Sequence, residues 1–100
     1  MTRKVVFSPE ARDDLFELHR YIFGRGAPSA AIAYVTRLQQ RCANLAAFPE
    51  QGVLRDDIRP GLRLLGFERR TEIAFHITPE IVAIDRIFHG GQKVDARLDD

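Results

Sequence analysis

The stretch Arg3-Lys4-Val5-Val6-Phe7-Ser8-Pro9-Glu10-Ala11-Arg12-Asp13-Asp14-Leu15 carries a change of period that decides the fold. Arg3 to Phe7 is a short apolar run suited to a strand. It stops at Ser8-Pro9. A serine side chain there can accept from free backbone N–H groups, and proline fits the first helical position, so a helix starts at this point. Glu10, Asp13 and Asp14 place negative charge near the positive end of the helix dipole. Ala11, Leu15, Leu18 and Ile22 then follow at spacings of 4, 3 and 4, which gives one apolar face. Gly24 and Gly26 end the helix.

Working outward, a second helix begins near Pro28. Its stripe is Ala31, Val35, Leu38, Cys42 and Leu45, and Phe48-Pro49 closes it, because the residue before proline disfavours helix. The short link predicts an antiparallel helix hairpin. Pro49 to Gly61 is polar and irregular, with Gly52, Pro60 and Gly61 as breakers. Three strands are predicted after it, over Leu62–Gly66, Arg69–Ile77 and Ile81–His89, the last two joined by the turn Thr78-Pro79-Glu80. In the middle strand Thr71, Ile73, Phe75 and Ile77 share one face, and Arg70, Glu72, Ala74 and His76 the other. By the same alternation Arg86 and His89 lie on opposite faces of the last strand unless a bulge intervenes.

The expected fold is therefore α+β. It has two layers in the order β-α-α-β-β-β, with the helix hairpin packed on one face of a mostly antiparallel sheet and the other face open. Residues 1–100 read as one domain, with a polar, frayed tail from about residue 90.

Composition narrows the function. Hydrophobic residues are 45% and charged residues 29%, which is ordinary for a globular chain. No apolar run approaches the roughly 18 residues of a membrane span, so no membrane association is expected. A single cysteine, Cys42, excludes an internal disulfide framework and a Cys-rich zinc site, and points to a reducing cytoplasm. It falls on an apolar stripe and reads as a buried hydrophobe. No phosphate-binding glycine loop is present. His19, His76 and His89 lack metal-ligand spacing, so neither a metal nor a cofactor is expected. Ser8 and Ser29 belong to helix starts. The carboxylate pairs Asp13-Asp14, Asp56-Asp57 and Asp99-Asp100 read as solvated charge.

With 15 basic and 14 acidic side chains the net charge is +1, which argues against non-specific nucleic-acid binding. Residue type is more telling, since 13 of the 15 bases are arginine. Arg55, Arg59, Arg63, Arg69 and Arg70 fall within 16 residues, and Arg86 and His89 follow on the last strand. Guanidinium groups suit planar partners such as carboxylate and phosphate, so these arginines are candidates for binding an acidic protein segment or nucleic-acid phosphates. The alternative is a solvated face paired locally with Asp56, Asp57, Glu68 and Glu72.

The order of motifs resembles the ParE branch of the RelE/ParE toxin superfamily. The resemblance rests on Phe7-Ser8-Pro9-Glu10-Ala11 with Asp14-Leu15, and on Tyr21-Ile22 late in the first helix. Phe48-Pro49-Glu50-Gln51-Gly52, Ile58-Arg59-Pro60-Gly61-Leu62-Arg63 and the ending Ile84-Asp85-Arg86-Ile87-Phe88-His89-Gly90 complete it. It implies a toxin of a type II toxin–antitoxin system that acts on DNA gyrase. It also implies a cognate antitoxin, of the ribbon-helix-helix kind, in a hetero-oligomer that reaches operator DNA only through the antitoxin. The RelE branch instead cuts mRNA on the ribosome. In this chain such a centre would have to use Arg63, Arg70, His76, Arg86 and His89, because the two tyrosines, Tyr21 and Tyr34, lie in the helices. Phe75-His76 stands where the family often has Tyr-Arg, and Gly91-Gln92 where a basic residue often follows the His-Gly turn. These departures favour a gyrase-directed binder over a ribonuclease, and leave a binding module that has lost toxicity as a third reading.

Overall fold

Both helices form where their apolar stripes fall. In the computed structural model, which describes residues 2–90, β1 is Lys4–Phe7, α1 Pro9–Gly24 and α2 Pro28–Ala43, followed by a 3-10 turn at Asn44–Ala46. Strands β2 (Val53–Leu54), β3 (Arg63–Phe67), β4 (Thr71–Ile77) and β5 (Ile81–His89) complete the chain. Gly91-Gln92 and the polar tail lie outside the described residues.

Ser8 does more than cap α1. Its Oγ accepts the Ala11 N–H at 3.0 Å and donates to the carbonyl of Asp85 at 2.8 Å, while its own N–H bonds Ile84. The helix start is thereby pinned to β5. α2 has no side-chain cap and relies on Pro28 at its first turn.

The sheet order is β1-β5-β4-β3-β2. β1, which precedes the helices, pairs parallel with β5 at the far end of the chain, Phe7 opposite Ile84, and every other pairing is antiparallel. The helix hairpin covers one face. Ala11, Leu15 and Leu18 of α1 and Leu38 and Cys42 of α2 close on Ile73, Phe75, Val82, Ile84 and Ile87. Phe75 is fully buried at its centre, and its truncation to alanine would cost about 3–5 kcal/mol. Among the described residues no helix is long and apolar enough to cross a membrane.

Three expectations need correction. The irregular segment contains β2, whose two residues pair with Leu64 and Arg63. The second sheet face is not left open: Leu62, Leu64, Ala74 and Phe88 are buried there, with Ile58 of the preceding loop packed on them. Finally, β4 begins at Thr71, so Arg69 and Arg70 belong to the β3–β4 turn rather than to a strand.

The bulge that strict alternation left open does exist. Phe75 pairs with Ile84 but Ala74 with Arg86, leaving Asp85 as the extra residue. Ile84 and Ile87 consequently face the helices together, while Phe88 faces away.

Candidate functional site

The arginines that cluster in sequence are separated by the sheet. On β3, Leu64 faces away from the helices, whereas Leu65 and Phe67 pack towards them. Arg63 alternates with Leu65 and so lies on the helix side, where it reaches the Gln51 carbonyl at 3.3 Å. Gln51 is itself held by Arg41 at 2.7 Å. Arg55 makes a two-point pair with Asp57 at 2.8 and 2.9 Å, and this hydrogen bonding holds the Asp57 carboxyl below its ordinary range. Arg59 crosses to Asp85 of β5 at 2.8 Å. Arg86 pairs with Asp14 of α1. Of the four expected local partners only Asp57 serves a clustered arginine. Glu68 is taken by Arg37 at 2.8 and 2.9 Å, which lowers its pKa, and Asp56 accepts the Gly61 N–H. Among the described residues Glu72 forms no ion pair.

The β3–β4 turn presents the remaining two guanidinium groups. Glu68 and Arg69 both have left-handed backbones, φ 47° and 71°, a conformation unfavourable for side chains of this kind. The two-point pair of Glu68 with Arg37, and the bond from Gly90 N–H to the Arg70 carbonyl, hold the turn in that form. Arg69 and Arg70 are exposed and make no side-chain hydrogen bond or ion pair among the described residues.

Two histidine environments lie at opposite ends of the sheet. His89, beside Arg70, sits under α1 and α2. Its Nδ1 is 3.4 Å from Thr71 Oγ1, which in turn is 2.6 Å from the Tyr34 hydroxyl, and the Tyr21 ring meets it edge-on. Burial lowers the His89 pKa, and the charge of Arg70 pushes the same way. A cleft between α1 and the end of β5 is lined by Glu17, Leu18, Tyr21, Ile87 and His89.

His76 occupies the other face. It pairs with Ala83, six positions before His89, or roughly 20 Å along the strand. Its Nδ1 lies 2.7 Å from Asp85 Oδ2, the same oxygen that Arg59 contacts. Nδ1 donates to the carboxylate, which leaves Nε2 as the ring nitrogen turned from Asp85, and the side chain is 38% exposed. Such a pair can orient an imidazole as a general base beside a guanidinium.

Asp85 and Asp14 are the site residues that sequence reasoning missed. Asp85 carried a signal, a charge interrupting the apolar run Ile81–Ile84. Asp14 was expected to be solvated, yet its side chain is only 10% exposed and fully engaged. Cys42 is buried as expected, and burial pushes its thiol pKa up to about 12. No cluster of potential metal ligands occurs among the described residues.

Comparison with known proteins gives a consistent result. Residues 5–94 match the family model described as ParE toxin of type II toxin–antitoxin system, parDE. The chain is 30% identical over 99 residues to Toxin ParE1 of Mycobacterium tuberculosis, covering 98% of this chain and all of that one. It is 28% identical over 95 residues to Toxin ParE3 of Caulobacter vibrioides, covering 95% and 94%. Among solved structures, a chain of the chromosomal ParDE toxin–antitoxin system from P. aeruginosa superposes with a TM-score of 0.77 at 22% identity, covering 89% of this chain and 97% of that one. A chain of the RelBE2 toxin–antitoxin complex from Mycobacterium tuberculosis gives 0.55 at 19% identity, covering 89% and 99%. At these identities the structural likeness is one of fold.

Proposed function

The chain belongs to the ParE toxin family of type II toxin–antitoxin systems, and on that premise we propose that it inhibits DNA gyrase by binding and is silenced by a cognate antitoxin. The observation that carries the binding reading is the dispersal of the residues a ribonuclease centre would need. Phosphoryl transfer requires its base and its charge-stabilising groups around one phosphate. Here Arg63 and His89 lie on the helix side of the sheet, His76 on the other face, and Arg86 at the edge against Asp14. Arg69 and Arg70 are the strongest contact candidates, because their guanidinium groups are exposed without a carboxylate among the described residues. Arg55, Arg59, Arg63 and Arg86 would first have to leave internal partners.

The antitoxin is proposed to be a ribbon-helix-helix protein with an acidic or polar segment suited to these arginines. The pair would form a hetero-oligomer in the cytoplasm that meets operator DNA through the antitoxin alone. Purified chain should stabilise gyrase–DNA cleavage complexes or block supercoiling, and Arg70→Glu should weaken this or antitoxin affinity at least several-fold. Unaltered gyrase activity at saturating toxin would refute the target.

One observation favours a second reading, ribosome-dependent mRNA cleavage. His76 Nδ1 and Arg59 meet on the same Asp85 oxygen, which brings an imidazole and a cation to one place. Toeprinting on translating ribosomes with wild-type and His76→Ala protein separates the two. Codon-specific cuts that vanish in the variant support cleavage, and unchanged messages exclude it.

A further inference from the structure

The outer face of α1 breaks the rule that gives the helix its inner one. Ala11, Leu15 and Leu18 are buried, and the opposite side should be polar. Instead Phe16 and Phe23 project from it, 65% and 54% exposed. They are seven residues apart, two helical turns, and so lie on one line along the helix. His19 stacks on Phe23 with ring centroids 5.9 Å apart, which extends the apolar surface between them. Asp13 and Arg20 border this line on one side, and Arg12 borders it on the other. All three are exposed, and among the described residues none makes a side-chain hydrogen bond or ion pair.

We propose that this stripe is a docking face for a second copy of the same chain, with the two α1 helices packed antiparallel about Phe16. The argument is charge complementarity along the stripe. At 100° per residue Asp13 and Arg20 fall on the same flank of Phe16, three residues before it and four after it. In an antiparallel pair like flanks face each other. Asp13 of one copy then meets Arg20 of the other, and a two-fold axis repeats the contact. Phe16 meets its own counterpart at the axis, and Phe23 reaches the Pro9 end of the opposing helix. Antiparallel alignment also sets the two helix dipoles in opposition. A parallel pair would set Asp13 beside Arg12 and Arg20 beside His19 of the other copy, so the flanks complement each other in either direction, and it is the opposed dipoles that select the antiparallel one. One helix pair buries less than the roughly 1,200 Å² of a standard stable interface, so the association is weak and concentration-dependent.

Sedimentation velocity on the purified full chain over a wide concentration range tests this. Wild-type protein should pass from monomer to dimer. Phe16→Glu should weaken association at least about tenfold. Asp13→Arg and Arg20→Asp should each weaken it, and the double reversal should restore it. Circular dichroism checks that each variant keeps its helices, which surface positions permit. A wild-type chain that stays monomeric at its solubility limit overturns the proposal, as does a dimer indifferent to Phe16→Glu. Failure of the double reversal to restore association overturns the antiparallel arrangement. A monomeric chain whose antitoxin binding is lost in Phe16→Glu assigns the stripe to the antitoxin and refutes self-docking.

Discussion

Asp14 on α1 accepts the backbone N–H of Ile87 at 2.8 Å, and its two oxygens also hold the Arg86 guanidinium at 2.8 and 2.9 Å. The relationship follows from strand length. β1 ends at Phe7, opposite Ile84, so β5 continues past its parallel neighbour with an unpaired edge. Ser8 turns the chain into α1 there, and the helix brings Asp14 alongside. One carboxylate thus replaces the missing strand and neutralises the arginine beside it.

Asp14→Ala should therefore destabilise far more than Asp13→Ala. It leaves the buried Ile87 N–H unsatisfied and removes the two-point carboxylate bond of a largely buried arginine, a loss of about 3 kcal/mol. For a chain of this size that corresponds to a fall in Tm of roughly 15 °C. Arg86→Ala should cost less, since Asp14 keeps its bond to Ile87. Thermal unfolding of the three variants checks the ranking, and equal melting points for Asp13→Ala and Asp14→Ala would contradict it.

His89 links the sheet end to pH. Burial, then the charge of Arg70, keeps its folded pKa below the ordinary 6.5. The unfolded chain then binds the proton first. Stability is complete above the unfolded value and declines as pH falls from 6.5 through the lower folded value. Arg70→Ala should move the His89 pKa up towards 6.5 and make this decline shallower. Following the His89 ring protons by NMR titration tests it directly: a midpoint at or above 6.5 in the wild type would be incompatible with this environment.

Cys42 should be chemically silent while the protein is folded. It has no accessible surface, and a thiol pushed up to about 12 contains almost no thiolate near neutral pH. Iodoacetamide at pH 8 should label it only under denaturing conditions, at the rate set by unfolding. Rapid labelling of native protein would show that the packing of α2 on the sheet opens readily.

The helix hairpin was legible because 3- and 4-residue spacings of Ala11 to Ile22 and Ala31 to Leu45 are local properties of the chain. The hairpin of β4 and β5 was legible from alternation and from Thr78-Pro79-Glu80. What escaped was set by partners distant in sequence. The two residues of β2 have no pattern of their own and become a strand only because Leu64 and Arg63 lie beside them. The bulge at Asp85 exists only as a mismatch with Ala74 and Phe75. The arginine cluster misled for a related reason. Arg59 and Arg63 are close in sequence, but alternation on β3 and a turn of loop send them to different faces, and only the carboxylates of Asp85 and Asp14 reveal where the charge is balanced.

Gly52 is the position where backbone freedom is indispensable. Its φ is +74°, and a Cβ there would stand 2.4 Å from the Leu64 carbonyl oxygen. Backbone cannot yield as a side-chain tip can, so Gly52→Ala must push the start of β2 away from β3. Left-handed strain and this displacement together should cost about 2–3 kcal/mol. The shift should also disturb Gln51, whose carbonyl holds Arg63 and whose side chain accepts from Arg41. Gly24→Ala is the control, because a Cβ at that helical position meets nothing within 4 Å and should be neutral or mildly stabilising. Chemical denaturation gives the comparison, and hydrogen exchange at Val53 and Leu54 reports whether β2 has detached. If Gly52→Ala matches the control in stability and β2 stays protected, the close approach of Gly52 to Leu64 does not constrain this edge.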